Sequence, residues 1–329
     1  MKKGLLIFAG LLLVLLAAGY VYSVKSGEKD VRVLRLCHGL NIRHPVHVTM
    51  EFMAQRVKEK SQGRLIVQIF PNEQLGTEKE SIESLQLGYM AMTKTSTAPM
   101  ESFVPQLQIF GIPYLFRDAD HFWKVAGGPI GKELLEAGTD KGLKGLCYYD
   151  AGARSFYAKK PIHSPADLKG LKIRVMNSIM SMQMIQTMGG SATPISWGEL
   201  YTSLDQGVVD AAENNSPSFE TSRHYEVCKY YILDEHVRVP DMLVISARIW
   251  NSLTAEEQRI LQEAVDESVA FNRVKWIESE QESLDKVQAA GVTIIRPDKK
   301  LFQDAVRPMW EKYNGTELGD LIRKIQEVQ

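Results

Sequence analysis

Cysteine is scarce in this chain: Cys37, Cys147 and Cys228 are the only three in 329 residues. An odd number leaves at least one thiol unpaired in an exported protein, and no spacing suggests a metal site. Cys147 and Cys228 are the pair that could bridge. An excess of either charge is also missing. Thirty-nine Lys and Arg stand against 40 Asp and Glu, a formal net charge of −1, so nothing points to a nucleic-acid partner. There is no Gly-x-Ser-x-Gly elbow, no His-Glu-x-x-His and no phosphate loop, and so no signature of a familiar hydrolase, zinc protease or nucleotide enzyme. No internal repeat or low-complexity tract is visible, which excludes a solenoid. Nothing implies a cofactor.

One apolar run does occur. Lys2 and Lys3 precede an uncharged stretch from Gly4 to Val24 that Lys25 ends. This has the form of a secretory signal, with small residues allowing cleavage after Gly19 or Ser23. The run exceeds the ~7–15 residues of an ordinary signal core and approaches the ~20 that span a bilayer, so an uncleaved anchor is the rival. Either reading exports the remainder, which at this length suits two domains.

Beyond the leader the pattern alternates strand and helix. Val31 to Leu36 reads as a strand, and Val46, Met50, Met53 and Val57 recur at helical spacing after Pro45. Leu65–Phe70 is a strand closed by Pro71, Glu78–Leu87 a helix stopped by Gly88, and Ala91 to Thr97 a buried strand. This order favours a mostly parallel sheet. Ser164-Pro165 opens a short helix ended by Gly170, and Ser196-x-x-Glu199 and Thr254-x-x-Glu257 are capping boxes. The second box begins an apolar stripe reaching Gly291, a helix of roughly 50 Å that could brace two lobes and could kink. Val237–Pro240 reads as a return connection, and Val292 to Ile295 as a late strand.

The densest chemistry lies between Arg154 and Pro217. Lys172 and Arg174 share one strand face while Ile173 and Val175 share the other. A guanidinium fixed on a strand is a rigid fork for a carboxylate, a geometry that lysine cannot supply. The run Arg154-Ser-Phe-Tyr is followed by Ser164-Pro-Ala-Asp-Leu-Lys-Gly-Leu-Lys-Ile-Arg174. Gly190, Pro194, Glu199, Tyr201, Leu204, Gly207, Val209 and Asp210 then precede Glu213-Asn214. Upstream stands Gly63-Arg-Leu-Ile-Val-Gln-Ile-Phe-Pro-Asn-Glu-Gln74-Leu-Gly76. In order and spacing these four elements resemble the DctP-type solute-binding proteins of TRAP transporters, over essentially everything after the N-terminal segment.

The resemblance implies an α/β fold of the two-lobed periplasmic binding protein type (class II-like), with mixed sheets, a hinge and a long helix bracing both lobes. It places 31–151 plus 240–280 in one lobe and 152–239 plus 281–329 in the other, with the ligand between them. Arg174 matches the carboxylate-pairing arginine, Arg154 a second positive contact, and Asn214 the amide of the Glu-Asn element. The first lobe should add selectivity. Glu78 stands at a helix start, and Lys94 interrupts an apolar strand where an unpaired charge is costly. His38 and His44 are candidates that also suit hydrogen-bonded structural roles, and Trp197 could face a sugar ring or simply pack. Asn214-Asn215, Asp234-Glu-His236 and Arg238-Val-Pro-Asp241 resemble the branch taking sugar acids such as hexuronates, which puts Asn215 and His236 among the candidates. A C4-dicarboxylate or keto acid is the alternative ligand. The implied partners are the small and large membrane subunits of the transporter, and the implied location is the periplasm. Competing classes are an exported enzyme acting on sugar acids and a ligand-sensing subunit.

Overall fold

A computed structural model describes residues 31–329, and the N-terminal signal or anchor lies outside them. Arg32–Cys37 (β1), Leu65–Phe70 (β2) and Met92–Ser96 (β3) run parallel, joined by helices Pro45–Lys60 and Glu78–Leu87. The first helix starts where Pro45 fits an N-terminal turn and the His44 ring accepts from the Val46 N–H. It buries Val46, Met50, Met53 and Val57, the stripe visible in the sequence. The second is opened by a Thr77–Glu80 capping box and closed by Gly88 in the left-handed conformation (φ +76°), where glycine costs least. Leu143–Tyr149 (β4) and Asp241–Ser246 (β10) complete this five-stranded sheet in the order β2-β1-β3-β10-β4, with β10 antiparallel to both neighbours.

The second sheet has six strands. Arg154–Ala158 (β5), Lys172–Val175 (β6), Ser191–Pro194 (β7), Ala211–Asn214 (β8), Tyr230–Val237 (β9) and Thr293–Ile295 (β11) lie in the order β11-β9-β5-β8-β6-β7. Both sheets are mixed because the chain leaves each one and returns. It crosses at 150–153 between β4 and β5, and again at 238–240 between β9 and β10. Helix Ala255–Ala289 is the third link, 35 residues without interruption, opened by the Thr254–Glu257 capping box. Its first half is tied to helix Pro45–Lys60 through Arg56–Glu267 (2.6 Å) and Lys60–Glu267 (2.8 Å). Farther along, its Glu280 carbonyl accepts from Ser216 of the second lobe at 3.0 Å. Trp276, 1 % exposed, packs under the first crossing. There Gly152 (φ +59°) leaves no room for a Cβ, which would strike the Trp276 indole and Glu280.

Three particulars add to or depart from the sequence reading. Ser196 makes no backbone cap: its hydroxyl donates to the Glu199 carboxylate at 2.5 Å, and Trp197–Glu199 is a 3-10 turn before helix Leu200–Asp205. Cys147 and Cys228 do not bridge. All three thiols are free and buried, and those two sit in separate apolar cores. The C-terminal tail divides between the lobes. Helix Lys299–Glu311 buries Phe302 and Val306 and contacts β9 of the second sheet, whereas helix Glu317–Gln326 contacts the 3-10 segment Pro105–Gly111. His121 meets the Ile325 carbonyl there at 3.0 Å.

Candidate functional site

The strand ends of the two sheets face one another across a cleft. Seven of the ten candidate residues line it: Glu78, Lys94, Arg154, Arg174, Trp197, Asn214 and Asn215. Arg174 is carried by β6, between β7 and β8, and is 2 % exposed. Its Nε donates to the Ile195 carbonyl at 2.9 Å, and its guanidinium lies 5.6 Å from the centre of the Trp197 ring. Nη1 is buried without a hydrogen-bond partner, and no carboxylate among the described residues lies within ion-pair distance of this side chain. Burial, with a smaller push from the Arg154 charge, pulls its pKa below the ordinary guanidinium value, although the group keeps its charge. A desolvated cation with no carboxylate partner and an unused donor, on a residue lining a cleft, is a site for an anion.

Arg154, on β5, is as buried but already satisfied. It donates from Nε to Glu213 Oε2 and from Nη2 to Glu213 Oε1 at 2.9 Å and to the Glu213 carbonyl at 2.7 Å. Its Nη1 donates to Asn214 Oδ1 at 2.9 Å. Burial would lower its pKa, but the Glu213 charge outweighs that and raises it, while the pairing holds Glu213 down to about 2. Asn214 Oδ1 also accepts from the Asn215 N–H at 2.9 Å, so its NH2 end, with two donors, is left for the cleft. The Asn215 side chain is committed elsewhere. It caps helix Ser216–Thr221 by accepting from the Ser218 N–H at 2.8 Å and donates to the Ala151 carbonyl at 3.0 Å.

The first lobe contributes acceptors. Lys94 is 2 % exposed and donates to Asp241 Oδ1 at 3.0 Å, the partner that a buried lysine requires. Ser96 donates to the same oxygen at 3.0 Å, and its N–H donates to Glu78 Oε1, also at 3.0 Å. Asp241 and Ser218 line the cleft without having been singled out as site residues. Asp241 could have been found from the chain's own logic: a lysine in a buried strand demands an anion, and Asp241 opens the returning strand.

The three histidine candidates stand behind the wall. His38 Nε2 meets His47 Nδ1 at 3.0 Å, and burial lowers its pKa to about 2. His44 caps its helix and meets Ser218 Oγ at 3.1 Å; burial keeps its pKa well below the ordinary range. His236, fully buried in β9, joins Asp234 Oδ2 at 2.7 Å and lies 3.5 Å from Glu213 Oε2, too far for a strong hydrogen bond. Burial would lower its pKa, but the two carboxylates overcome that and raise it to about 9. His236 therefore supports Glu213, which supports Arg154. No cluster of metal-ligating side chains occurs among the described residues.

Two lobe-to-lobe contacts flank the cleft. Glu73, after β2, accepts from the Gly198 N–H at 3.0 Å, and a Cβ at Gly198 would collide with that carboxylate. Glu101, 2 % exposed, accepts from the Ile179 and Met180 N–H groups at the start of helix Ile179–Thr187, the latter at 3.2 Å.

Comparison with known proteins finds relatives along most of the chain. The model of the DctP family, described as bacterial extracellular solute-binding protein, family 7, matches residues 36–316. A TRAP periplasmic solute-binding protein of a Bradyrhizobium species, solved with α/β-D-galacturonate, superposes with a TM-score of 0.87 at 42 % identity, covering 90 % of this chain and 100 % of that one. The corresponding protein of Chromohalobacter salexigens, solved with D-glucuronate, gives a TM-score of 0.87 at 35 % identity with the same coverage. The 2,3-diketo-L-gulonate-binding periplasmic protein of Escherichia coli is 30 % identical over 289 residues, 86 % of this chain and 88 % of that protein. The chain belongs to the DctP family of bacterial extracellular solute-binding proteins, family 7.

Proposed function

We propose that this protein is the extracytoplasmic receptor of a TRAP transporter and binds a hexuronate, with Arg174 as the carboxylate anchor. The observation that carries the reading is the unpaired, buried guanidinium of Arg174 beside the Trp197 face. A uronate offers one carboxylate, several hydroxyls and an apolar ring face, and the cleft offers, among the described residues, one free cation, an amide donor, carboxylate acceptors and an indole. Relatives of similar sequence solved with galacturonate and glucuronate support the same class. The protein captures and hands over its ligand without converting it.

The working motion is a hinged clamp. Residues 31–151 and 240–280, with helix Glu317–Gln326 packed on them, act as one lobe and 152–239 and 281–316 as the other, with the crossings at 150–153 and 238–240 flexing. In the open form the anion meets Arg174. Closure adds the acceptors Glu78 and Asp241, and only the closed state offers both sets, so ligand shifts the population toward it. Glu73 and Glu101 then hold the seam. The periplasm is the working compartment, and the closed surface is what the small and large membrane subunits read. A thermal-shift screen of hexuronates, aldonates, dicarboxylates and keto acids tests this. Uronates should stabilise the protein by about 3 kcal/mol at a hundredfold excess over Kd. A response confined to dicarboxylates would overturn the reading.

A further inference from the structure

The geometry points to Asp241 as the residue that sets the charge of acid this cleft accepts, admitting uronates and rejecting their doubly charged aldarate counterparts. The inference rests on the uronate reading above and concerns the first-lobe wall of the cleft that Arg174 lines from the second lobe. β3 and β10 are antiparallel, with Ser96 directly across from Asp241 and Lys94 across from Leu243, so Lys94 and Asp241 are diagonal neighbours. Both are nearly inaccessible, at 2 % and 4 % exposure, and both face the cleft. The 3.0 Å bond between them takes up the lysine charge.

Lys94 would otherwise be a second anion receptor. With Arg174 lining the same cleft from the second lobe, an unpaired lysine here would give the cleft two free cations, the arrangement suited to a diacid. Asp241 removes that option, and Glu78 goes further, because this wall then carries two carboxylates against one ammonium. Asp241 Oδ1 is occupied by Lys94 and Ser96, and Glu78 Oε1 by the Ser96 N–H, which leaves one oxygen of each carboxylate outside those bonds. Such oxygens accept from hydroxyl groups and repel a carboxylate, with little water in the closed cleft to screen the repulsion. Selectivity therefore comes from a repulsive element as well as an attractive one.

Galactarate carries a second carboxylate at the former aldehyde carbon and, being acyclic, also lacks the pyranose ring; the loss of the ring is common to wild type and variants, so the change in the Kd ratio on substitution reports the charge at this wall. Titration calorimetry of the full exported protein should show galactarate binding at least about a hundredfold more weakly than galacturonate. Asp241→Asn keeps the shape, frees the Lys94 charge, and should narrow that ratio at least about tenfold. Lys94→Gln leaves Asp241 unbalanced and should widen it. A folded Asp241→Asn variant with an unchanged ratio, or a Lys94→Gln variant with a narrowed one, overturns the inference, and Lys94→Gln decides alone should Asp241→Asn not fold. If the wild-type protein instead binds neither sugar acid, the uronate reading itself fails, together with what is built on it.

Discussion

Two arginines of equal burial do different work because only one has an anion of its own. Glu213 satisfies Arg154 and turns it into a fixed part of the wall, whereas Arg174 meets only a carbonyl and an indole face. Arg174→Ala should therefore fold normally and lose about 2–5 kcal/mol of acid affinity by calorimetry. Arg154→Ala should instead lose about 3–5 kcal/mol of stability in a denaturant melt, since Glu213 would be left buried and unpaired. His236 carries a pH signature. Its pKa in the folded chain, about 9, lies above the ordinary 6.5, so its contribution is complete below 6.5 and lost as pH rises through about 9. Melting temperature should fall across that window in the wild type and stay flatter in His236→Gln. Arg174 was legible in the sequence because a spaced motif names it. The histidines were not, since spacing cannot distinguish a side chain on the cleft wall from one packed behind it.

Carboxylates placed against backbone N–H groups tie elements of the two lobes together. Burial raises the Glu101 pKa to about 7, although the Met180 N–H, the Ser178 hydroxyl and the Ile179 N–H oppose that rise; Tyr313 is the other titratable group facing it. Opening the seam returns the carboxyl to the ordinary range near 4.5. The closed form thus binds a proton more readily, and closure is most favoured below pH 4.5 and weakens as pH rises through about 7. Uronate affinity should fall from pH 5.5 to pH 8 in the wild type, with the slope reduced in Glu101→Gln; equal slopes by calorimetry would contradict the seam role. Element bounds were read well where stop signals are local: Pro71 ends β2, and Gly88 ends the helix before it turns left-handed. Ser196 misled because its hydroxyl turns to the Glu199 carboxylate instead of a backbone N–H.

At the scale of the molecule, two crossings and one uninterrupted helix join the two mixed sheets, the connectivity that the proposed clamp needs. Small-angle scattering should show the radius of gyration shrinking when a saturating hexuronate is added, and staying constant with a neutral hexose. The two-lobed plan was legible because returning strands leave their own punctuation, as at Val237–Pro240. How the tail divides was not, because helices Lys299–Glu311 and Glu317–Gln326 carry similar amphipathic patterns, and only tertiary packing decides which lobe each covers. The central claim is that Arg174 grips the ligand's carboxylate within the closed cleft. A crystal structure of the protein with D-galacturonate tests it most directly. The carboxylate should lie within hydrogen-bonding distance of Arg174 Nη1, with hydroxyls turned toward Asp241 and Glu78. A ligand whose carboxylate contacts Lys94 while Arg174 faces only protein would contradict the account.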